Sequence, residues 1–423
     1  VSLRRHDRQP PPATVPTAMV LLTGATLATT LVLTGLLVPW TEAPAGVVDP
    51  TAGLPGDVVT AAAEVAASLR LPALLSLLAG LLAPTAAVLT GPGRRVLARL
   101  ARVPGAVPAQ VAVQVLAVLA LVLVVRWPFG VWAELVRRDA GLSVQGWGGW
   151  ARDRLVSAGF EAVALTAVVL TVVVLARALP RWWPAVAAAS TATLVVVVSL
   201  LYPVVVEPAL ADLRPLADGP VREQVEQTAE QAGAPVADVL VSDASARTTA
   251  LNAYVSGLGP TRRLVLQDTL LSAMPPEQVL GVVAHETAHA ASQDVLRGTA
   301  LGALGAASLV LLLGGVAVSL TGRRPRWGRG VGESAAAGVV LLVVVAVQVV
   351  AAPVPSLVSR QVERAADVRA VDLTQDPVAY AEAMRTLLVT NRADPAPPAA
   401  YQWWFGTHPS GAERVARARA TAR

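Results

Sequence analysis

Apolar residues gather in long blocks along this chain, and Arg- and Pro-rich breaks separate them. A helix crossing about 30 Å of hydrocarbon needs roughly 20 mainly apolar residues. Blocks of that length lie at about 18–40, 70–90, 106–126, 157–179 and 184–206, and again at about 298–320 and 334–356. Pro72, Pro84 and Pro108 interrupt or crowd the ends of the second and third. Trp40, Trp127, Trp182, Trp183 and Trp327 stand at block ends, where indole rings favour the headgroup zone. The pattern predicts a multi-pass membrane protein of about seven transmembrane helices. The first block also has the flanks of a secretory leader, with Arg4, Arg5 and Arg8 before it and Ala43-Pro44-Ala45 after it. Its apolar stretch exceeds the roughly 7–15 residues of a leader core, so a retained helix is expected.

Over 207–296 the pattern changes. Val221, Val225, Ala229 and Ala232 recur at helical spacing among acids and Arg222, and Gly233-Ala234-Pro235 stops that helix. Short strand-like pieces follow at Val239-Leu240-Val241, Ala253-Tyr254-Val255 and Leu264-Val265-Leu266. A helix over about 276–296 then opens on Pro275-Pro276-Glu277, with proline at a tolerated first-turn position. From about 359 the chain is polar and helical, broken by the Pro-rich Asp394–Pro398. The expected organisation is five membrane helices over 1–206, an α+β unit over 207–296, two more membrane helices over 297–358 and a helical tail over 359–423.

Composition narrows the chemistry. Fifty-four per cent of residues are apolar and 15% charged, against roughly 25% charged in soluble domains. Cysteine is absent, which excludes disulfides, thiolate metal sites and cysteine nucleophiles. Any metal must be held by His, Asp or Glu, and the histidines are only His6, His285, His289 and His408. The net charge of +5 comes without a single lysine. The arginines sit between apolar blocks, as flanking anchors do. They do not form the continuous basic face of a nucleic-acid binder.

His285-Glu286-Thr287-Ala288-His289 reads H-E-x-x-H inside the expected 276–296 helix. Residues four apart share a helical face, so both imidazoles reach one zinc ion, and Glu286 is the candidate general base for zinc-bound water. With four histidines in the chain, the pattern arises by chance on the order of a few times per thousand such sequences. Catalytic zinc usually takes a third protein ligand; with no further His nearby, a carboxylate is expected. Glu363 and Asp367, one turn apart just beyond the last apolar block, are the candidates for ligand and for hydrogen-bond partner of a ligand imidazole. By spacing alone they read equally well as ordinary surface acids.

Four segments in order make the resemblance specific. Asn252-Ala253-Tyr254 with Arg263–Leu271, the H-E-x-x-H helix, Glu363-Arg364-Ala365-Ala366-Asp367 as E-x-x-A-D, and Thr407-His408-Pro409 with Glu413-Arg414 together resemble the CAAX prenyl protease 1 family of membrane zinc peptidases. The resemblance covers about 200–423; before that, only hydrophobicity and span number agree. It implies a predominantly α membrane protein in which about seven helices enclose a chamber, with a small zincin-type α+β unit. It implies one Zn2+ per chain, with Glu363 as third ligand and Asp367 behind the ligands. His408 would face the developing oxyanion. Arg414 would be a structural or substrate-orienting cation. Asn252 and Ala253 would lie on a strand edge where substrate adds as a further strand. Asp294 is expected behind the metal ligands or as a plain polar helix residue. Glu161 and Gln348, close to or within apolar blocks, are candidates to line the chamber.

The expected activity is therefore a zinc metalloendopeptidase in the cell membrane, cutting membrane-associated, CAAX-type or misfolded proteins, with the lipid bilayer as its other partner. Two alternatives from other classes are a transporter or channel and a catalytically silent scaffold of the same fold. Sidedness is in conflict. The arginines at 4–8, 94–102 and 323–329, taken as cytoplasmic, put 207–296 outside, whereas the resemblance implies a cytoplasmic catalytic region.

Overall fold

In the computed structural model, residues 17–40, 49, 51, 55–257, 261–321 and 331–421 are described. His6, the arginines at 4–8 and 323–329, Ala43-Pro44-Ala45 and Trp327 lie outside them. The chain opens with α1 (Thr17–Leu37), α2 (Gly56–Leu89), the short α3 (Gly91–Leu100), α4 (Val107–Asp139), α5 (Trp147–Ala178) and α6 (Trp183–Leu201). A π-helical turn at Tyr202–Val206 leads into α7 (Glu207–Leu210). After the α+β unit come α11 (Asp294–Thr321) and α12 (Ala337–Ala351).

Seven helical segments in this set are long and apolar enough to span a membrane: α1, α2, α4, α5, α6 with its continuation, α11 and α12 with the turn before it. At most 28% of any of their apolar windows is buried inside the protein. Large side chains such as Leu36 and Val163 are 75% and 70% exposed, an apolar surface that only lipid can cover. This is a multi-pass membrane protein.

The helices outrun the apolar blocks. α2, α4 and α5 have 34, 33 and 32 residues, about 50 Å each at 1.5 Å per residue, against about 30 Å of hydrocarbon. α2 runs through both Pro72 and Pro84, where a break was expected. Pro108 sits in the first turn of α4, where its missing N–H leaves nothing unpaired. Helix continuity needs backbone hydrogen bonds rather than hydrophobicity, so α4 and α5 continue past the membrane and meet the α+β unit. There Ser143 bridges Thr248, and the Thr248 hydroxyl donates to the Leu142 carbonyl at 2.7 Å. Between α2, α4, α5 and α12 the bundle encloses a chamber whose lining includes Glu161 and Gln348.

The α+β unit holds β1 (Leu213–Pro215), α8 (Pro220–Gln231), β2 (Asp238–Ser242), β3 (Ala253–Ser256), β4 (Arg263–Gln267), α9 (Asp268–Ala273) and α10 (Pro276–Ala291). The sheet order is β1-β2-β4-β3. β2 and β4 are parallel, with Leu240 opposite Val265; β3 runs antiparallel to β4, with Ala253 opposite Leu266. Among the described residues, β3 thus has one edge unpaired. Leu264, Leu266 and Leu270 pack with Val279 and Val283 of α10 in one core, which sets α10 across the sheet.

The helix expected to run to 296 stops at Ala291. Gln293 adopts a left-handed φ of 55°, the chain turns, and Asp294 begins α11. The tail forms α13 (Pro353–Thr374), α14 (Pro377–Thr390), α15 (Ala399–Phe405) and α16 (Gly411–Thr421). The Asp376 side chain caps α14 by accepting from Ala379 N at 2.8 Å.

Candidate metal centre

His285 and His289 project from one face of α10, as the four-residue spacing requires, and α13 crosses that face to bring Glu363 to them. His285 Nε2 lies 3.2 Å from His289 Nε2. Glu363 Oε2 is 3.3 Å from His285 Nε2, and Glu363 Oε1 is 3.6 Å from His289 Nε2. Three donor atoms bonded to one tetrahedral cation at the roughly 2.0–2.1 Å typical of zinc stand about 3.4 Å apart. The observed separations match that size.

The tautomers point the same way. His289 Nδ1 is 2.9 Å from Asp294 Oδ2, and His285 Nδ1 is 3.1 Å from Asp367 Oδ1. Each carboxylate accepts a hydrogen bond from an Nδ1–H, so in the neutral imidazoles both Nε2 atoms present lone pairs. Two lone pairs and a carboxylate then face one another at contact distance, and Glu363 Oε2 is buried with no hydrogen-bond partner. That arrangement repels itself unless positive charge, a metal ion or a proton on His285, sits between them. His285, His289 and Glu363 fit a divalent metal, and their N,N,O donor set suits zinc.

The surroundings favour positive charge at this point. Burial and Arg414 oppose protonation of His285, yet Asp367 and Glu363 outweigh them and pull its pKa up to about 9. Burial works against ionising Glu363, but His285 holds it down at about 2. Asp367, 1% exposed, is likewise desolvated, and Arg414 with His285 keeps it well below the usual carboxylate range. Glu286 differs: burial dominates and raises its pKa, although His285 and His289 pull the other way. A carboxylate with raised proton affinity beside the metal ligands is the environment a general base needs.

Behind the ligands lies a network the sequence pattern did not reveal. Tyr380 of α14 is fully buried. Its hydroxyl donates to Asp367 at 2.6 Å and sits 3.2 Å from His285 Nδ1. Nothing in the sequence singled out Tyr380 among four tyrosines. Arg414 of α16 donates to Asp367 from Nη2 at 2.6 Å and from Nε at 3.1 Å. It lies behind His285 with its side chain 14% exposed, which favours the structural of its two expected roles over the substrate-binding one. Its neighbour Glu413 pairs with Arg364 at 2.5 Å, so α13 and α16 are clamped by two ion pairs of opposite order.

His408 is 60% exposed, with Nε2 3.4 Å from Glu363 Oε1, on the open side of the ligands. Its loop is held by Arg360, which donates to the Gln402 and Gly406 carbonyls at 2.9 and 2.5 Å. Asn252 is exposed at the start of β3, and its carbonyl accepts from Gln267 N at 3.1 Å. The Ala253 side chain is buried in the core, so Ala253 can offer a ligand only main-chain groups. Beyond β3, a hollow beside His289 is lined by Val255, Val295 and Leu296. A second unforeseen element anchors this strand: buried Glu207 accepts from Ser256 Oγ at 2.9 Å and from Arg263 Nη2 at 2.6 Å, fastening β3 and β4 to α7.

Comparison with known proteins agrees with this geometry. The profile of peptidase family M48 matches residues 215–422. The chain is 28% identical over 291 residues to the uncharacterized metalloprotease YhfN of Bacillus subtilis, 67% of each chain. It is 30% identical over 215 residues to a protease HtpX homolog of Acidiphilium cryptum, 46% of this chain and 71% of that one. A CAAX prenyl protease 1 homolog of Arabidopsis thaliana is 36% identical over 94 residues, and the chain spans only 22% of its length. The crystal structure of S. mikatae Ste24p shares the fold with a TM-score of 0.74 at 16% identity, covering 95% of this chain and 98% of that one.

Proposed function

The chain belongs to peptidase family M48 and is a membrane metalloprotease, and on that premise we infer that it is a zinc endopeptidase acting on membrane-associated or unfolded polypeptides, CAAX-type tails among them. The observation that carries this reading is the convergence of His285 Nε2, His289 Nε2 and the Glu363 carboxylate, with the two nitrogens 3.2 Å apart, Oε2 3.3 Å from His285 and Oε1 3.6 Å from His289. When bound there, a zinc-type cation supplies Lewis acidity, bringing the pKa of water near about 7 and polarising a carbonyl.

The chain's own residues supply the rest. The free edge of β3 pairs with the main chain of an extended substrate from Asn252 onward, which gives binding with little sequence preference. The hollow at Val255, Val295 and Leu296 receives an apolar substrate side chain. Glu286 takes the proton of the attacking water and passes it to the departing amine, so one proton moves and the base is regenerated. His408, on the open side of Glu363, donates a hydrogen bond to the oxygen that gains charge. Asp367 and Asp294 hold the two ligand imidazoles in the tautomer that exposes Nε2.

The test is cleavage of a fluorogenic unfolded peptide and of a prenylated tail peptide by the purified full chain, with bound metal quantified, beside Glu286→Gln. Glu286-dependent cleavage with equal metal in both proteins is the expected result. A scaffold or transporter would bind metal and show no Glu286-dependent cleavage of either peptide.

A further inference from the structure

The chamber in the bundle holds charge that the metal centre does not use. Arg126 of α4 and Arg154 of α5 line one cavity. It continues into a second that shares Ser76, Leu119, Val122, Arg126 and Glu161. Neighbouring arginines on the same two helices are ion-paired, Arg138 with Glu134 at 3.0 Å and Arg152 with Asp153 at 2.9 Å. Among the described residues, no carboxylate comes within 4.0 Å of Arg126 or Arg154. Arg126 donates to the Ser76 hydroxyl at 3.0 Å, and Arg154 lies over the Trp150 ring at 5.7 Å. Glu161 also lines the cavity, so two cations face one acid there. Both arginines are exposed, so their guanidinium groups are free to meet an anionic group.

The cavity is also polarised from end to end. Arg126 closes the apolar block of α4, and Arg154 precedes that of α5 by three residues. Trp127 and Trp150, edge to face at 5.3 Å, stand beside them at the depth where indoles meet headgroups. Away from this mouth the walls are Leu81, Leu119, Leu165 and Leu341. A cationic, aromatic mouth over an apolar floor matches a molecule with an anionic head and a hydrocarbon tail.

We propose that the chamber is a binding site for a single-chain anionic amphiphile, a lipid with a carboxylate or phosphate head, seated with its head between Arg126 and Arg154 and its tail among Leu119, Leu165 and Leu341. This is separate from the peptidase reading and stands or falls without it.

The experiment places the full chain in phosphatidylcholine nanodiscs and follows quenching of tryptophan fluorescence by dibromostearate, at alkaline pH where the acid is ionised. The methyl ester of the same chain is the uncharged control. The ionised acid is expected to quench at a concentration about tenfold below the ester, the size of a charge-assisted contact. Arg126→Gln with Arg154→Gln removes that difference, and Arg126→Lys with Arg154→Lys retains most of it; unchanged bound metal and elution volume show that both variants are folded. Equal quenching by acid and ester overturns the proposal, as does a glutamine variant that still prefers the acid. Acetate and inorganic phosphate supply the head without a tail. If either displaces the acid at comparable concentration, the site binds a free anion and the amphiphile assignment fails.

Discussion

Replacing Asp367 by asparagine separates two jobs that this one carboxylate performs. It is 1% exposed and accepts from the Tyr380 hydroxyl at 2.6 Å and from Arg414 Nη2 at 2.6 Å, while facing His285 Nδ1 at 3.1 Å. Asparagine fills the same space but carries no charge and turns a donor toward one of these donors. Arg414, whose side chain is 14% exposed, is left as a buried cation without its counter-charge, a loss of about 3–5 kcal/mol of stability. His285 also loses the carboxylate that fixes its tautomer, which lowers metal affinity by about 10–100-fold, or roughly 1.4–2.8 kcal/mol. Thermal unfolding of the metal-free protein reads the first effect, and competition against a chromophoric chelator reads the second. Adding Arg414→Met to Asp367→Asn removes the stranded cation, so stability recovers while metal affinity stays low. Wild-type metal affinity in Asp367→Asn would refute the orienting role of this carboxylate. A double variant no more stable than the single one would refute the unpaired-charge argument.

Four further outcomes follow from the same structure. Glu286→Gln keeps its metal and loses about 10²–10⁴-fold in peptide cleavage, measured as kcat/KM beside metal content. Removing metal with a chelator abolishes cleavage and lowers the unfolding temperature, because a metal that binds only the folded chain stabilises it; one equivalent of zinc per chain restores both, as read by calorimetric titration. Tyr380→Phe leaves Asp367 short of one donor in a dry environment and costs about 1–2 kcal/mol in thermal unfolding, with a smaller loss of metal affinity than Asp367→Asn. Gly314→Ala places a methyl 2.6 Å from the Pro184 ring, where α11 crosses α6; the overpacking costs about 1–3 kcal/mol, read as loss of monodisperse protein on heating in detergent.

Much of this protein was legible as a string because the relevant physics is local. Hydrophobic length located seven spans, since a membrane imposes its thickness on each helix separately. The pair His285 and His289 with Glu286 between them follows from the pitch of one helix, and the short apolar runs at 239–241, 253–255 and 264–266 mark three strands. Where helices ended was less legible: α2 passes two prolines, α5 begins ten residues before its apolar block, and α10 stops at Ala291 because Gln293 takes a left-handed turn. Those limits depend on what each terminus packs against.

Only the tertiary structure brought the distant parts together. Glu363 stands beside His285 and His289 because α13 folds back across α10, a contact that no spacing rule encodes. The same return places Arg414 and Tyr380 on Asp367, and a tyrosine recruited from α14 leaves no periodic mark in the sequence. Parallel pairing of β2 with β4 puts β3 at the edge, and Glu207 at the start of α7 ties that edge to the membrane bundle. The unpaired arginines of the chamber are also a tertiary fact, for a sequence shows how many charges exist but not which of them meet. Residues close along the chain are held by helix and strand geometry, which sequence carries directly. Residues far apart meet only when the burial of whole faces brings their elements together.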